Sequence, residues 1–150
     1  MLVFKTKTFD ELSLQELYAI LALRAEVFVV EQNCPYQDVD GKDEKGLHLL
    51  GTENNQLLAY ARILPKGVSY DEYTSIGRIV TALKARAKGY GHALVDEAVK
   101  VTQTTYPEYS IKISAQAHLE QFYRSHEFVP TGEAYLEDDI PHIGMLLLKA

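Results

Sequence analysis

The chain has 150 residues, of which 47% are hydrophobic and 24% charged, and carries a formal net charge of −6. That length fits one domain burying roughly 70% of the surface its unfolded form exposes, so no metal or disulfide staple is required. The acidic balance argues against duplex nucleic acid, whose binding rests on clustered Lys and Arg, and leaves amine and other cationic partners open.

No window approaches the roughly 18 apolar residues of a membrane span, so no membrane partner is expected. Met1 to Lys7 lacks the basic-then-apolar pattern of a secretory leader. Cys34, the only cysteine, excludes an internal disulfide and suits a reducing cytoplasm, the expected location. Without repeats, low-complexity tracts or linkers, residues 1–150 are read as a single domain.

Residues 2 to 7 read as a first strand. Ser13-Leu14-Gln15-Glu16 has the Ser-x-x-Glu form of a capping box and predicts a helix. Its buried stripe is expected at Leu14, Leu17, Leu21 and Phe28, with Gln15, Glu16 and Glu26 facing out. Arg24 lies near that stripe, and either pins a carboxylate in the following segment or extends to water. Gln32 to Gly46 is polar, contains Pro and Gly and lacks periodicity, so it reads as a long ordered loop.

Two strands follow, about 47 to 53 and 56 to 64, joined by Asn54-Asn55, a pair that tolerates the positive φ of a tight hairpin. Residues 73 to 80 form another strand. A helix from about 90 to 104 buries Leu94, Val95, Ala98, Val101 and Thr102. Tyr109, Ile111 and Ile113 alternate with Ser110, Lys112 and Ser114 as a half-buried strand, and a further helix presents Leu119, Phe122, Tyr123 and His126. Strands at about 128 to 137 and 142 to 148 close the chain around Glu137-Asp138-Asp139. The order β-α-β-β-β-α-β-α-β-β implies an α/β fold of the mixed kind, with about seven strands flanked by helices.

Between the fourth strand and its helix stands Arg86-Ala87-Lys88-Gly89-Tyr90-Gly91-His92. Two glycines at a helix start let several unpaired backbone N–H groups approach one ligand, and the helix dipole favours an anion there. Arg86 and Lys88 add charge that suits a phosphate or pyrophosphate. The alternative is a glycine-containing helix start with two solvated bases. Sharper patterns fail: Asp43 holds the glycine position of a calcium loop starting at Asp38, Leu47 the Walker lysine position, and Leu94 the third glycine position of a dinucleotide fingerprint. No His or Cys spacing suits a metal, so none is expected.

The element order together with Arg86, Gly89 and Gly91 resembles the GNAT N-acetyltransferase superfamily, whose motif is Arg/Gln-x-x-Gly-x-Gly/Ala. Phe122-Tyr123 followed by Phe128 matches a second family mark. The runs Val27 to Asp38 and Tyr135 to Ile143 look like the ElaA-like branch, and the similarity spans nearly the whole chain.

That resemblance implies the acyl-CoA N-acyltransferase fold, with acetyl-CoA as cosubstrate and a protein or small-molecule amine as acceptor. The pyrophosphate would then sit on N–H groups from Ala87 to His92, with Tyr90 among them. The pantetheine arm would pair with the backbone of Ile79, Val80 and Thr81, and the thioester would lie where two parallel strands splay. Tyr123 would be the acid near the sulfur; a core tyrosine whose hydroxyl finds a partner is the alternative. Gln116 stands where many relatives carry Asn, and Glu127 where they carry Gly, so the helix exit before Phe128 is expected to close differently.

An amine with a pKa near 10.4 is only about 0.1% neutral at physiological pH, a penalty of roughly 4 kcal/mol, so a base must take its proton. No Glu lies on the strand from Ile76 to Val80, where some relatives hold theirs. The candidates are His142, Glu137 and Glu31, each with a structural alternative. Cys34 is read as a buried thiol, because direct transfer needs no acyl-enzyme. A non-catalytic acyl-CoA-binding module remains a second reading. The last strands and the long loop offer a surface for a homodimer.

Overall fold

A computed structural model describes residues 1–150. The strands are β1 (Val3–Thr8), β2 (Leu47–Glu53), β3 (Gln56–Leu64), β4 (Thr74–Thr81), β5 (Ile111–Gln116), β6 (Val129–Glu137) and β7 (Ile140–Leu147). The helices are α1 (Leu14–Arg24), α2 (Tyr90–Thr105) and α3 (Glu120–Arg124). All seven strands join one sheet in the order β1-β2-β3-β4-β5-β7-β6. Every neighbouring pair is antiparallel except β4 and β5, which run parallel and pair only at Thr74–Ile111 and Ser75–Lys112. Beyond Ser75 the two strands part, and the β5-facing edge of β4 has no strand partner.

The predicted punctuation operates as physical chemistry requires. Ser13 Oγ accepts from the Glu16 N–H at 3.0 Å, and Glu16 Oε1 accepts from the Ser13 N–H at 2.8 Å. Asn54 and Asn55 take φ of 52° and 63°, the left-handed pair a two-residue hairpin demands. Asp138 and Asp139 do the same between β6 and β7, at 51° and 63°. In β5, Ile111, Ile113 and Ala115 are buried in the core while Lys112, Ser114 and Gln116 face a cavity. The buried residues of α2 are Leu94, Val95, Ala98 and Thr102; Val101 is half-buried.

Two expectations are corrected. The inward stripe of the first helix runs through Ile20, Leu23, Arg24 and Val27, and Leu14 is 83% exposed. The helix continues past Arg24 as a π-helical segment, Ala25–Glu31, whose wider turn changes the period that a single-period count assumes. Phe28 is half-buried, packing against the edge of the core and lining the cavity. The exit of α3 is not closed differently: Glu127 adopts φ of 73°, the conformation glycine would take. The Phe128 N–H then donates to Tyr123 O at 3.1 Å, a Schellman closure.

The segment from Gln32 to Gly46 is an ordered loop, fixed by three arginines. Arg24, fully buried, donates to Asp38 Oδ2 at 2.8 Å and to Asp43 Oδ1 at 2.7 Å. Arg62 of β3 bridges Asp40 and Asp43 at 2.8 to 2.9 Å. A bulge in the β3–β4 ladder, with Arg78 at φ of 50°, turns the Arg78 side chain to the Asp38 carbonyl at 2.9 Å. Asp40 and Asp43 are held well below the usual carboxylate range by these guanidinium donors, which outweigh the opposing effect of burial. This lattice makes the loop one wall of the site. No helix is long and apolar enough to cross a membrane.

Candidate active site

Where β4 and β5 part, a cavity of about 570 Å3 opens between β4, β5, the 32–46 loop and the β6–β7 turn. Ile79, Gln116, Tyr123, Glu137 and His142, all singled out from sequence, line it together. Gln32 and Cys34 complete the wall nearest the π-helical segment.

Tyr123 is 7% exposed, packed edge-on against Phe122 and Phe128. Its hydroxyl has no hydrogen-bond partner within the chain, and burial pushes its pKa up to about 12. It is therefore protonated across the neutral range and able to donate to a group placed in the cavity.

Also in the cavity lining, His142 Nδ1 lies 2.7 Å from the Ile140 carbonyl. A carbonyl oxygen only accepts, so Nδ1 carries the proton and Nε2 turns to Glu137 Oε2, 3.6 Å away. Ser114 Oγ stands 3.3 Å from Glu137 Oε1 and 2.5 Å from the Tyr135 hydroxyl. Tyr135 stacks on His142 with ring centroids 6.2 Å apart. Sequence reading missed Ser114 and Tyr135. The β5 alternation already put Ser114 on the face opposite the core, but only the β5–β7–β6 order carries Glu137 to it.

Glu31 does not line the cavity. It is bound bidentately by Arg86, Nη1 to Oε2 at 2.5 Å and Nη2 to Oε1 at 3.0 Å. Gln116 donates to Gln32 Oε1 at 3.5 Å, tying β5 to the end of the π-helical segment. Cys34 Sγ approaches the Asp138 carbonyl at 3.6 Å.

Above the cavity lies the turn from Arg86 to His92. The backbone N–H groups of Ala87, Lys88, Gly89, Tyr90, Gly91 and His92 all lack an acceptor within the chain. Ala87 and Gly89 take φ of 67° and 77°, which fans successive N–H groups towards one side. Lys88 lies 3.9 Å from Glu53, the Tyr90 hydroxyl bonds Glu53, and His92 Nδ1 meets His126 Nε2 at 2.9 Å. Thr81, at the end of the open β4 edge, offers its carbonyl to Arg86 at 3.4 Å, and Val80 is buried. An unpaired strand edge running from a cavity to a nest of free N–H groups fits an extended ligand ending in phosphate.

A family model described as an acetyltransferase (GNAT) domain matches residues 10–149. The chain belongs to the GNAT acetyltransferase family. Protein ElaA of Escherichia coli is 47% identical over 138 residues, covering 91% of this chain and 90% of that protein. Its crystal structure superposes with a TM-score of 0.90 at 43% identity, covering 97% of this chain and 99% of that one. The crystal structure of an acyl-CoA N-acyltransferase from Pseudomonas aeruginosa superposes with a TM-score of 0.92 at 45% identity over the full length of both chains. The seven-stranded mixed sheet is thus the GNAT fold.

Proposed function

We propose that the chain acts as a single N-acetyltransferase domain that moves the acetyl group of acetyl-CoA directly to a primary amine. Family membership supports acyl-CoA as donor, and the nest of free N–H groups at Ala87 to His92, reached along the open β4 edge, supports a polyphosphate-ended one.

The chemistry follows from the cavity lining. The acceptor ammonium first gives up a proton, for which the Glu137–His142 pair is the available base, and the neutral nitrogen attacks the thioester carbonyl. The C–S bond then breaks as the N–C amide bond stands complete. The base passes the first proton to solvent, takes the nitrogen's surplus proton and releases that in turn, while the departing thiolate takes the proton of Tyr123, which is restored from solvent. Backbone donors and the open strand edge supply orientation, which is worth several kcal/mol when reacting atoms are held in contact.

The observation that carries this reading is Tyr123, a buried tyrosine whose hydroxyl is held protonated without a partner in the chain, in the lining of the same cavity as a carboxylate–imidazole pair. Replacing Tyr123 by Phe removes the donor while keeping the ring packing. Thiol release from acetyl-CoA with a panel of amines is expected to fall about 100-fold in kcat with little change in KM. Full activity in that variant assigns the acid elsewhere. Tight CoA binding with no thiol release from the unaltered protein would instead mark a non-catalytic acyl-CoA-binding module.

A further inference from the structure

The cavity is electrically two-ended. Along the exposed face of β5, Lys112, Ser114 and Gln116 succeed one another at intervals of about 7 Å. Lys112 lies at the closed end, paired across to Ser75 where β4 and β5 still hold together. Ser114 meets Glu137, and Gln116 stands opposite His142 in the β5–β7 ladder. The cationic floor and the carboxylate of the transfer level are therefore one strand repeat apart.

The floor has one cation, Lys42, that no carboxylate meets. Arg24, Arg62 and Arg78 are matched by Asp38, Asp40 and Asp43. Lys42 meets no carboxylate; its Nζ donates only to Ser69 Oγ at 3.2 Å. Lys112 Nζ sits 5.0 Å from the centre of the Tyr70 ring and 5.9 Å from that of Tyr73, its side chain only 15% exposed. Its Nζ is paired with Glu133 Oε1 at 2.7 Å, a carboxylate that is 54% exposed and lies outside the cavity lining. Arg62, 3% exposed and also in the cavity wall, keeps an Nε without a hydrogen-bond partner, and the Tyr70 hydroxyl has none within the chain. At the other end, neither Glu137 nor Asp138 pairs with any Lys or Arg. A simple alkylamine or a diamine would leave Lys42 without a carboxylate and Lys112 with only the exposed Glu133.

We infer that the acceptor is a small zwitterion, an amine carrying an anionic group about 6 to 7 Å from its nitrogen, the anion on Lys42 and Lys112 and the amine beside Glu137. The inference rests on the acyltransferase reading and adds to it the chemical class of the acceptor.

Three acceptors of matched length test it with the whole chain: δ-aminovalerate, n-pentylamine and cadaverine, each with acetyl-CoA. The kcat/KM for δ-aminovalerate is expected to exceed that for pentylamine by at least about tenfold, with cadaverine lowest. Lys42→Glu should reverse the order of δ-aminovalerate and cadaverine, and Lys112→Gln should bring the first ratio towards one. Equal rates on all three, or a preference for cadaverine in the unaltered protein, overturns the inference and leaves the acyltransferase reading intact. Calorimetric titration of δ-aminovalerate into the CoA-loaded protein reads the floor without turnover. Binding abolished by Lys42→Glu supports the zwitterion even where no thiol is released, an outcome that would overturn only the catalytic reading. Equal binding to both proteins, or none to either, overturns the zwitterion.

Discussion

The 32–46 loop and the turn from Arg86 to His92 are both rich in polar groups, and they treat them oppositely. At the loop, two buried arginines and the half-buried Arg78 are matched with three aspartates, and His48 joins in by contacting the Asp43 carbonyl at 2.8 Å and the Tyr60 hydroxyl at 2.6 Å. In the turn, six successive N–H groups have no partner. A buried polar group left unmatched is costly, so every charge in the loop's lattice is paired, although the Arg62 Nε has no hydrogen-bond partner. The turn is exposed, water can satisfy it, and it is free to exchange that water for a ligand. Matching marks the scaffold and its absence marks the site.

The largest effect should come from breaking the matched region. Arg24→Ala would leave the Asp38 and Asp43 carboxylates without their most buried partner, and a loss of about 3 to 5 kcal/mol in unfolding free energy is expected. Chemical denaturation measures it. A loss below about 1 kcal/mol would mean that water or Arg62 takes over and that the lattice is not what fixes the loop.

The unmatched region should respond in affinity more than in stability. Gly89 takes φ of 77° with open space where a side chain would project, so the obstacle to substitution is conformational and electrostatic. Gly89→Glu strains the turn by about 1 to 2 kcal/mol and puts a carboxylate where phosphate is proposed to dock. Calorimetry with CoA should show a loss of at least about 100-fold, or about 2.7 kcal/mol. Undiminished affinity would remove the turn from the proposed site.

How much of this was legible follows the range of the interactions. Ser13 and Glu16, Asn54 and Asn55, and the alternation of Ile111 and Ile113 with Lys112 and Ser114 act over two or three residues, and each is where sequence placed it. The motif at Arg86, Gly89 and Gly91 is local too, and its N–H groups are free as the glycine argument requires. What sequence left open depends on the third dimension. That Arg24 pins a loop carboxylate was one of two readings, and choosing needed the fold to bury it. Glu137 and His142 meet through the β6–β7 hairpin and reach Ser114 only through the sheet order. Arg86 takes Glu31 as its partner because the π-helical segment ends beside it, which no periodicity announces.

Acidification separates contributions within the matched lattice. Burial lowers the His48 pKa below its ordinary 6.5, so the folded chain keeps this imidazole neutral while the unfolded chain takes up a proton. Stability from this group is present above about pH 6.5 and is lost as pH falls. Asp40 and Asp43, held below their ordinary 3.8, act in the same direction lower down. Denaturation midpoints should therefore decline gently below about pH 6.5 and steeply below about pH 4. His48→Gln should remove the first decline and keep the second; a single decline in both proteins would show that the imidazole is not held neutral.

The smallest effect expected lies between the two regions, at the exit of α3 that carries Tyr123. Glu127 holds φ of 73° without the freedom glycine has, and its side chain is exposed. A left-handed non-glycine residue costs about 1 to 2 kcal/mol, partly offset in Glu127→Gly by the larger entropy glycine brings to the unfolded chain. A net gain of about 0.5 to 1 kcal/mol should raise Tm by roughly 1 to 4 °C in a chain of this size. The strain sits four residues from the hydroxyl proposed to protonate the sulfur, and strained backbone near a site often fixes its geometry. If Glu127→Gly raises Tm and leaves thiol release unchanged, the Phe128 N–H to Tyr123 carbonyl bond alone sets the position of the helix. A higher Tm with lower kcat would show that the stiff left-handed glutamate holds Tyr123 in place, and would extend the site beyond the groups that line the cavity.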